Sequence, residues 1–108
     1  MDHANDNVVT GNVANANQGP VGEGGGIVVV ASTGNQLLAN LANSNLDSGI
    51  AFFEETPGDT AGNSLRGNIA NRNQNHGIDA VAGTIDGGGN RATGNAIPPQ
   101  CLNVRCTA

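Results

Sequence analysis

"GNIANRNQNHGID" runs from Gly67 to Asp79. Asparagine is a poor residue for both helices and strands, so the stretch taken alone reads as a polar loop. The same phrase occurs twice before it, as "GNVANANQG" (Gly11–Gly19) and "ANLANSNLDSGIA" (Ala39–Ala51). Asn12, Asn40, Asn68 and Asn95 stand 28, 28 and 27 residues apart. Asn7, Asn35, Asn63 and Asn90 repeat those steps. Two further columns, Asn15, Asn43 and Asn71, and Asn17, Asn45 and Asn73, keep the step of 28. A fixed period of roughly 20–50 residues is the signature of a stacked-repeat architecture.

The apolar residues share this register. Val9, Leu37 and Leu65 form one column, Val13, Leu41 and Ile69 a second, and Ala14, Ala42 and Ala70 a third. Each unit closes on Gly-Ile and an alternating run: "GIVVV" (Gly26–Val30), "GIAFF" (Gly49–Phe53) and "GIDAV" (Gly77–Val81). "CLNVR" (Cys101–Arg105) is expected at the same place in the last unit. Alternation points Ile27 and Val29, Ile50 and Phe52, Ile78 and Ala80, and Leu102 and Val104 inward, because the polar members fall only among Val28, Ala51, Asp79 and Asn103. A unit this short cannot bury its own apolar face, so units must stack. The glycines and asparagines leave no room for a helix. The expected fold is all-β: a parallel β-solenoid of three to four coils of about 28 residues, right-handed by the crossover rule. All four asparagine columns are then expected to be structural. Asparagine tolerates the left-handed backbone of sharp corners, and a stacked amide satisfies both its ends on its neighbours.

Composition narrows the function. Aromatics are 2% of 108 residues, with no Trp or Tyr, so the core must be thin and built from small side chains. Net charge is −5, and the 4 basic residues (Arg66, Arg72, Arg91, Arg105) are dispersed, which argues against nucleic acid. No apolar run approaches the roughly 20 residues of a membrane span. Cys101 and Cys106 have no zinc ligand near them in sequence and are expected to form a short disulfide. That implies an oxidising compartment: secreted, cell-surface or periplasmic. "MDHANDN" has neither region of a signal peptide, so the chain is expected to be either a mature chain with an added Met or a fragment, the C-terminal part being favoured, of a longer exported protein. Residues 1–6 are expected to be a disordered tail and residues 7–106 one domain. Its open first coil would be covered by preceding coils of a parent protein or by a second copy.

The pattern N-x-L-x-G-N-x-A-N-x-N, closing on G-I-x-V, resembles the repeat of secreted right-handed parallel β-helix proteins, the pectate-lyase-like superfamily. "GGGNRATGNAIPPQCLNVRC" (Gly87–Cys106) is similar to the last coil and cap of exported bacterial members, actinobacterial ones especially. The resemblance implies the fold. For function it implies a choice between a non-catalytic structural or interaction solenoid, with weak glycan or surface binding, and a carbohydrate-active enzyme, a polysaccharide lyase or glycoside hydrolase.

Enzymes of that kind need clustered carboxylates. A strict 28-residue register would stack Gly58 with Asp86, placing Glu54, Glu55, Asp59 and Asp86 on one edge. Such an edge would suit a hard cation such as Ca²⁺, although no recognised ligand spacing is present. His76 and Asp79 flank the Gly77 turn and are a candidate acid/base pair, with an exposed His and an outward strand Asp as the plainer alternative. No cofactor motif appears: "GPVGEGGG" (Gly19–Gly26) lacks the Lys of a phosphate loop and reads as a protruding loop. Phe53 is the one aromatic free to meet a glycan, Phe52 being expected in the core. The threonines form no continuous column of the sort a flat ice-binding face would need.

Overall fold

The structure, a computed structural model, describes residues 1–19 and 24–108; residues 20–23 of the expected Gly19–Gly26 loop therefore lie outside the described residues. Eight short strands occur in chain order: β1 (Val8–Thr10), β2 (Ile27–Val30), β3 (Gln36–Leu38), β4 (Ile50–Phe53), β5 (Ser64–Arg66), β6 (Ile78–Asp79), β7 (Ile85–Asp86) and β8 (Cys101–Leu102). They form two parallel four-stranded sheets, β1-β3-β5-β7 and β2-β4-β6-β8. Single parallel bridges, Val13–Leu41–Ile69–Arg91–Thr107, make a third row. No helix is present among the described residues. The chain is a parallel β-solenoid of about four turns.

Like residues stack on like. Val9, Leu37 and Leu65 pair across one sheet, and Ile27, Ile50 and Ile78 across the other. The core is one side chain thick: Val29, Leu37, Ile50, Phe52, Leu65 and Ile78, filled out by Ala42, Ala70 and Ala80. Each large aliphatic contributes roughly 1.5–3 kcal/mol by leaving water. Between the sheets the backbone passes too closely for any side chain at Gly49. A Cβ there would lie 2.7 Å from the Ala42 carbonyl and 2.7 Å from Asn73 Nδ2.

The step of 28 has a composite origin. The β2-to-β4 and β6-to-β8 steps are only 23 residues (Ile27 to Ile50, Ile78 to Cys101), and β5 to β7 is 21 (Ser64 to Ile85). The first asparagine step carries extra residues before β2: Asn17 to Ile27 is 10 residues, whereas Asn45 to Ile50 is 5. The second carries them after β4, in the extension from Glu54 to Gly62. Extra residues in two different places thus produce one apparent period.

The third coil lacks both sets of extra residues, and three expectations shift. Asn90 lies under Asn68, not Asn63, and Asn95 under Asn73, not Asn68. Asp86 pairs with Leu65 on β5 and does not stack beneath Gly58. Cys101, not Leu102, pairs with Ile78; Leu102 lies beside Asp79. Cys101 and Val104 both pack on the core because Asn103, at φ 60°, interrupts strand alternation between them. Ala51, expected outward, is buried: it is a lone methyl between the longer Val28 and Asp79 of its row.

Residues 1–6 also depart from expectation, since they begin the first turn and are no loose tail. Asp2 bridges Val30, the His3 N–H donates to the Val30 carbonyl (3.1 Å), and the Asp6 N–H donates to the Thr33 carbonyl (3.1 Å). The free edge of β2 and the segment after it, at Ser32 and Thr33, supply these partners, and Met1 packs on the core. At the other end Cys101 and Cys106 are joined in a disulfide.

Candidate functional site

Three of the four asparagine columns form buried, hydrogen-bonded ladders. At Asn40, the backbone N–H and one Nδ2–H both donate to Asn68 Oδ1, each at 3.0 Å. The second Nδ2–H donates to the Val9 carbonyl at 2.8 Å. Its own Oδ1 accepts from the Asn12 N–H and Nδ2–H. The same geometry links Asn7 to Asn35 to Asn63, Asn12 to Asn40 to Asn68 to Asn90, and Asn17 to Asn45 to Asn73 to Asn95. Gln100 closes the last ladder, its Oε1 accepting both Asn95 donors.

The fourth column corrects the expectation of a stack of amides bonded to one another. Asn43 and Asn71 are only half-buried, and Asn15 is exposed. No side chain of this column bonds another. Instead Asn15 Oδ1 accepts the Asn43 backbone N–H at 2.8 Å, and Asn43 Oδ1 accepts the Asn71 backbone N–H at 2.8 Å. Asn71 Oδ1 accepts the Thr93 N–H at 3.0 Å, where the column ends. The Nδ2 groups of Asn43 and Asn71 make no hydrogen bond among the described residues. Its direction is opposite to that of the buried ladders.

Backbone position explains the difference. The ladder asparagines are not themselves left-handed; the residue before each one is. Gly11, Ala39, Gly67 and Gly89 precede one ladder at φ 65°, 54°, 66° and 70°. Ala16, Ser44, Arg72 and Gly94 precede another. The left-handed residue turns the corner, and the next residue sends its amide into the interior to bond the backbone of adjacent coils. Asn43 and Asn71 instead come immediately before the left-handed Ser44 and Arg72, so they lie on the near side of the corner, where the amide stays at the surface.

The acidic residues do not share an edge. Glu54 accepts the Gly58 N–H. Asp59 accepts the Thr56 N–H at 2.9 Å and the Glu55 N–H. The Thr56 amide chiefly holds the Asp59 carboxyl below the usual range. These bonds fold the Glu54–Gly62 extension onto itself. Asp86 lies on β7, in the other sheet. It accepts the Arg105 N–H at 2.8 Å and the Gly88 N–H at 3.0 Å, and the Arg105 amide chiefly lowers its pKa. It lines a shallow depression with Asn103, Val104 and Arg105.

His76 Nδ1 lies 2.8 Å from the Pro99 carbonyl. A carbonyl only accepts, so Nδ1 carries the proton and Nε2 is the basic nitrogen. No hydrogen bond or ion pair joins His76 to Asp79 among the described residues. Asp79 is half-buried and its pKa is raised: burial pushes it up, nearby His76 pulls it down, and Asp47 adds to the rise. Asp47 accepts from Asn75 Nδ2 at 2.8 Å. His76 and Asp79 are thus close enough to interact electrostatically but share no hydrogen bond.

One further cluster was invisible while residues 1–6 read as a tail. His3 Nδ1 is 2.5 Å from Asp2 Oδ1, and Nε2 is 3.7 Å from Glu55 Oε2. The candidate metal-ligand atoms of these three residues lie within 4.8 Å of one another, all on exposed side chains. The three groups satisfy one another, and exposed pairs of this kind contribute little to stability.

The remaining feature is the free edge of β1. The Gln36 N–H donates to the Asn7 carbonyl and the Gly11 N–H to the Leu38 carbonyl. In a parallel ladder this turns Val9 toward β3, and the backbone groups of Val8 and Thr10 away from it. Val8 and Val13, both on this turn, are 59% and 68% exposed. Compared with protein-family models, curated proteins and solved structures, the chain has no match in any of the three.

Proposed function

We propose that this chain is a non-catalytic structural solenoid that acts through contacts, with its N-terminal turn as the contact surface. The observation that carries the reading is where the carboxylates go. Glu54 and Asp59 bind backbone amides within the loop after β4, and Asp86 on β7 binds the Arg105 amide. Asp79 and His76 share no hydrogen bond or ion pair with any of the three among the described residues. Meanwhile the chain's polar side chains are invested in ladders that make the coil rigid. The resemblance to secreted pectate-lyase-like β-helix proteins is compatible with this reading and with an enzyme on the same scaffold, and the disulfide fits an exported setting.

The test is incubation with a panel of acidic and neutral polysaccharides, assayed for new reducing ends and for unsaturated uronate products. No turnover is expected. Turnover that disappears in both His76→Ala and Asp79→Asn would replace this reading with that of a carbohydrate-active enzyme.

A further inference from the structure

We infer that the N-terminal turn pairs with the same turn of a second copy, β1 running antiparallel to its counterpart about a two-fold at Val9. This rests on reading that turn as the contact surface, and names its occupant.

The backbone is the first reason. Val8 and Thr10 turn their N–H and C=O groups away from β3. A two-fold at Val9 sets Val8 opposite Thr10 twice, which is the hydrogen-bonded pair of an antiparallel ladder, and makes four N–H···O=C bonds. Val9 lies on the core side of β1, so the same axis brings the two thin cores end to end.

The ladder ends are the second reason. Asn12 and Asn17 each give one Nδ2–H to the rung below. Each retains an Oδ1 and a second Nδ2–H with no partner among the described residues. These free amide atoms mark the N-terminal turn as an unfinished ladder end that a covering chain would complete. The inner rungs use those atoms on the preceding coil, as Asn40 does.

The far end decides between arrangements. There the chain folds over itself: Gln100 closes one ladder, Thr107 bridges Arg91, and Val104 and the two cysteines pack against the core. Head-to-tail stacking would need that end open. Head-to-head pairing uses one patch twice and closes at two copies. Each copy carries −5, and Asp2 and Asp6 belong to the contacting turn, so association should strengthen with salt.

Sedimentation velocity across a wide concentration range, at low and high salt, tests this. A monomer–dimer equilibrium that stops at two and tightens with salt is expected. Thr10→Pro removes only the outward N–H and leaves the β1–β3 ladder intact, so it should weaken the dimer about 10-fold or more with an unchanged melting temperature. Val8→Lys, a charge on the exposed edge, should do the same. Val9→Cys should cross-link as a disulfide dimer, since the two Val9 positions face each other across the axis. A monomer at every concentration overturns the second copy as occupant, and growth beyond two overturns the closed symmetry. Glycan turnover would instead overturn the scaffold reading, in a separate assay.

Discussion

Asn68 is a fully buried rung with four partners. Its Oδ1 accepts from the Asn40 N–H and Nδ2–H, and its Nδ2 donates to the Leu37 carbonyl and to Asn90 Oδ1. Truncation leaves the buried Asn40 N–H and Nδ2–H unpaired, while the Leu37 carbonyl keeps its ladder bond from Arg66. Asn68→Ala should therefore cost roughly 3–5 kcal/mol in urea unfolding, against about 1 kcal/mol or less for Asn12→Ala at the exposed end of the same ladder. Equal losses at both positions would mean that ladder continuity does not govern stability. The residue before the rung behaves in the opposite sense. Ala39 holds φ 54°, a conformation whose Cβ clash glycine avoids. Ala39→Gly should stabilise the fold by about 0.5–1 kcal/mol, after the flexibility of glycine in the unfolded chain is offset. Ordinary helix- or strand-based intuition would expect the reverse.

Along β6 the outward row carries a charge where the rows above carry Ala51 and Val28. Burial raises the Asp79 pKa above 3.8, so the folded state holds that proton more tightly than the unfolded chain does. Ionised Asp79 therefore opposes folding at neutral pH, and the penalty fades as pH falls from the raised value toward 3.8. Asp79→Asn should raise the melting temperature at neutral pH, and the gain should shrink to nothing in acid. A gain independent of pH would point to packing instead of charge. Asp86 on β7 titrates the other way. Its pKa is lowered by the Arg105 and Gly88 amides, so its contribution is present above the ordinary carboxylate range and is lost as pH falls through the lowered value.

For the whole solenoid, the two ends are unequal. The C-terminal end is closed by the Cys101–Cys106 disulfide and by Gln100. The N-terminal end is held by backbone bonds from residues 1–6 and by the exposed Asp2–His3–Glu55 contacts. The Cys101→Ser/Cys106→Ser double variant should lose about 2 kcal/mol, the loop-closure value for so short a ring. Unfolding would then begin from that end, with hydrogen exchange quickening first around β8. Exchange that quickens first at β1 in the variant would show that the cap does not protect the last coil.

The repeated asparagines and the aliphatic columns were sufficient to determine the stacked parallel coil. A ladder needs the same residue at the same place in successive coils, so its geometry is written as a period. Phe52 in the core, Phe53 at the surface and the terminal disulfide were legible for similar local reasons. The period did not say which columns point inward. Asn43 and Asn71 repeat as regularly as Asn45 and Asn73, yet their amides stay at the surface, because they stand before the left-handed corner residue and not after it. Nor could the period carry unequal coil length. The extra residues before β2 and after β4 fall in different places yet each keeps the asparagine step at 28, and only the third coil, which has neither, exposes the shorter turn beneath. That moved Asn90 and Asn95 by one ladder, sent Asp86 to the other sheet, and dispersed the acidic residues that a uniform register would have gathered. The placement of residues 1–6 was likewise decided by tertiary structure, because their partners lie on the edge of β2 and in the Ser32–Thr33 segment that follows it. Local sequence cannot specify such an edge; it exists only once the coil has closed.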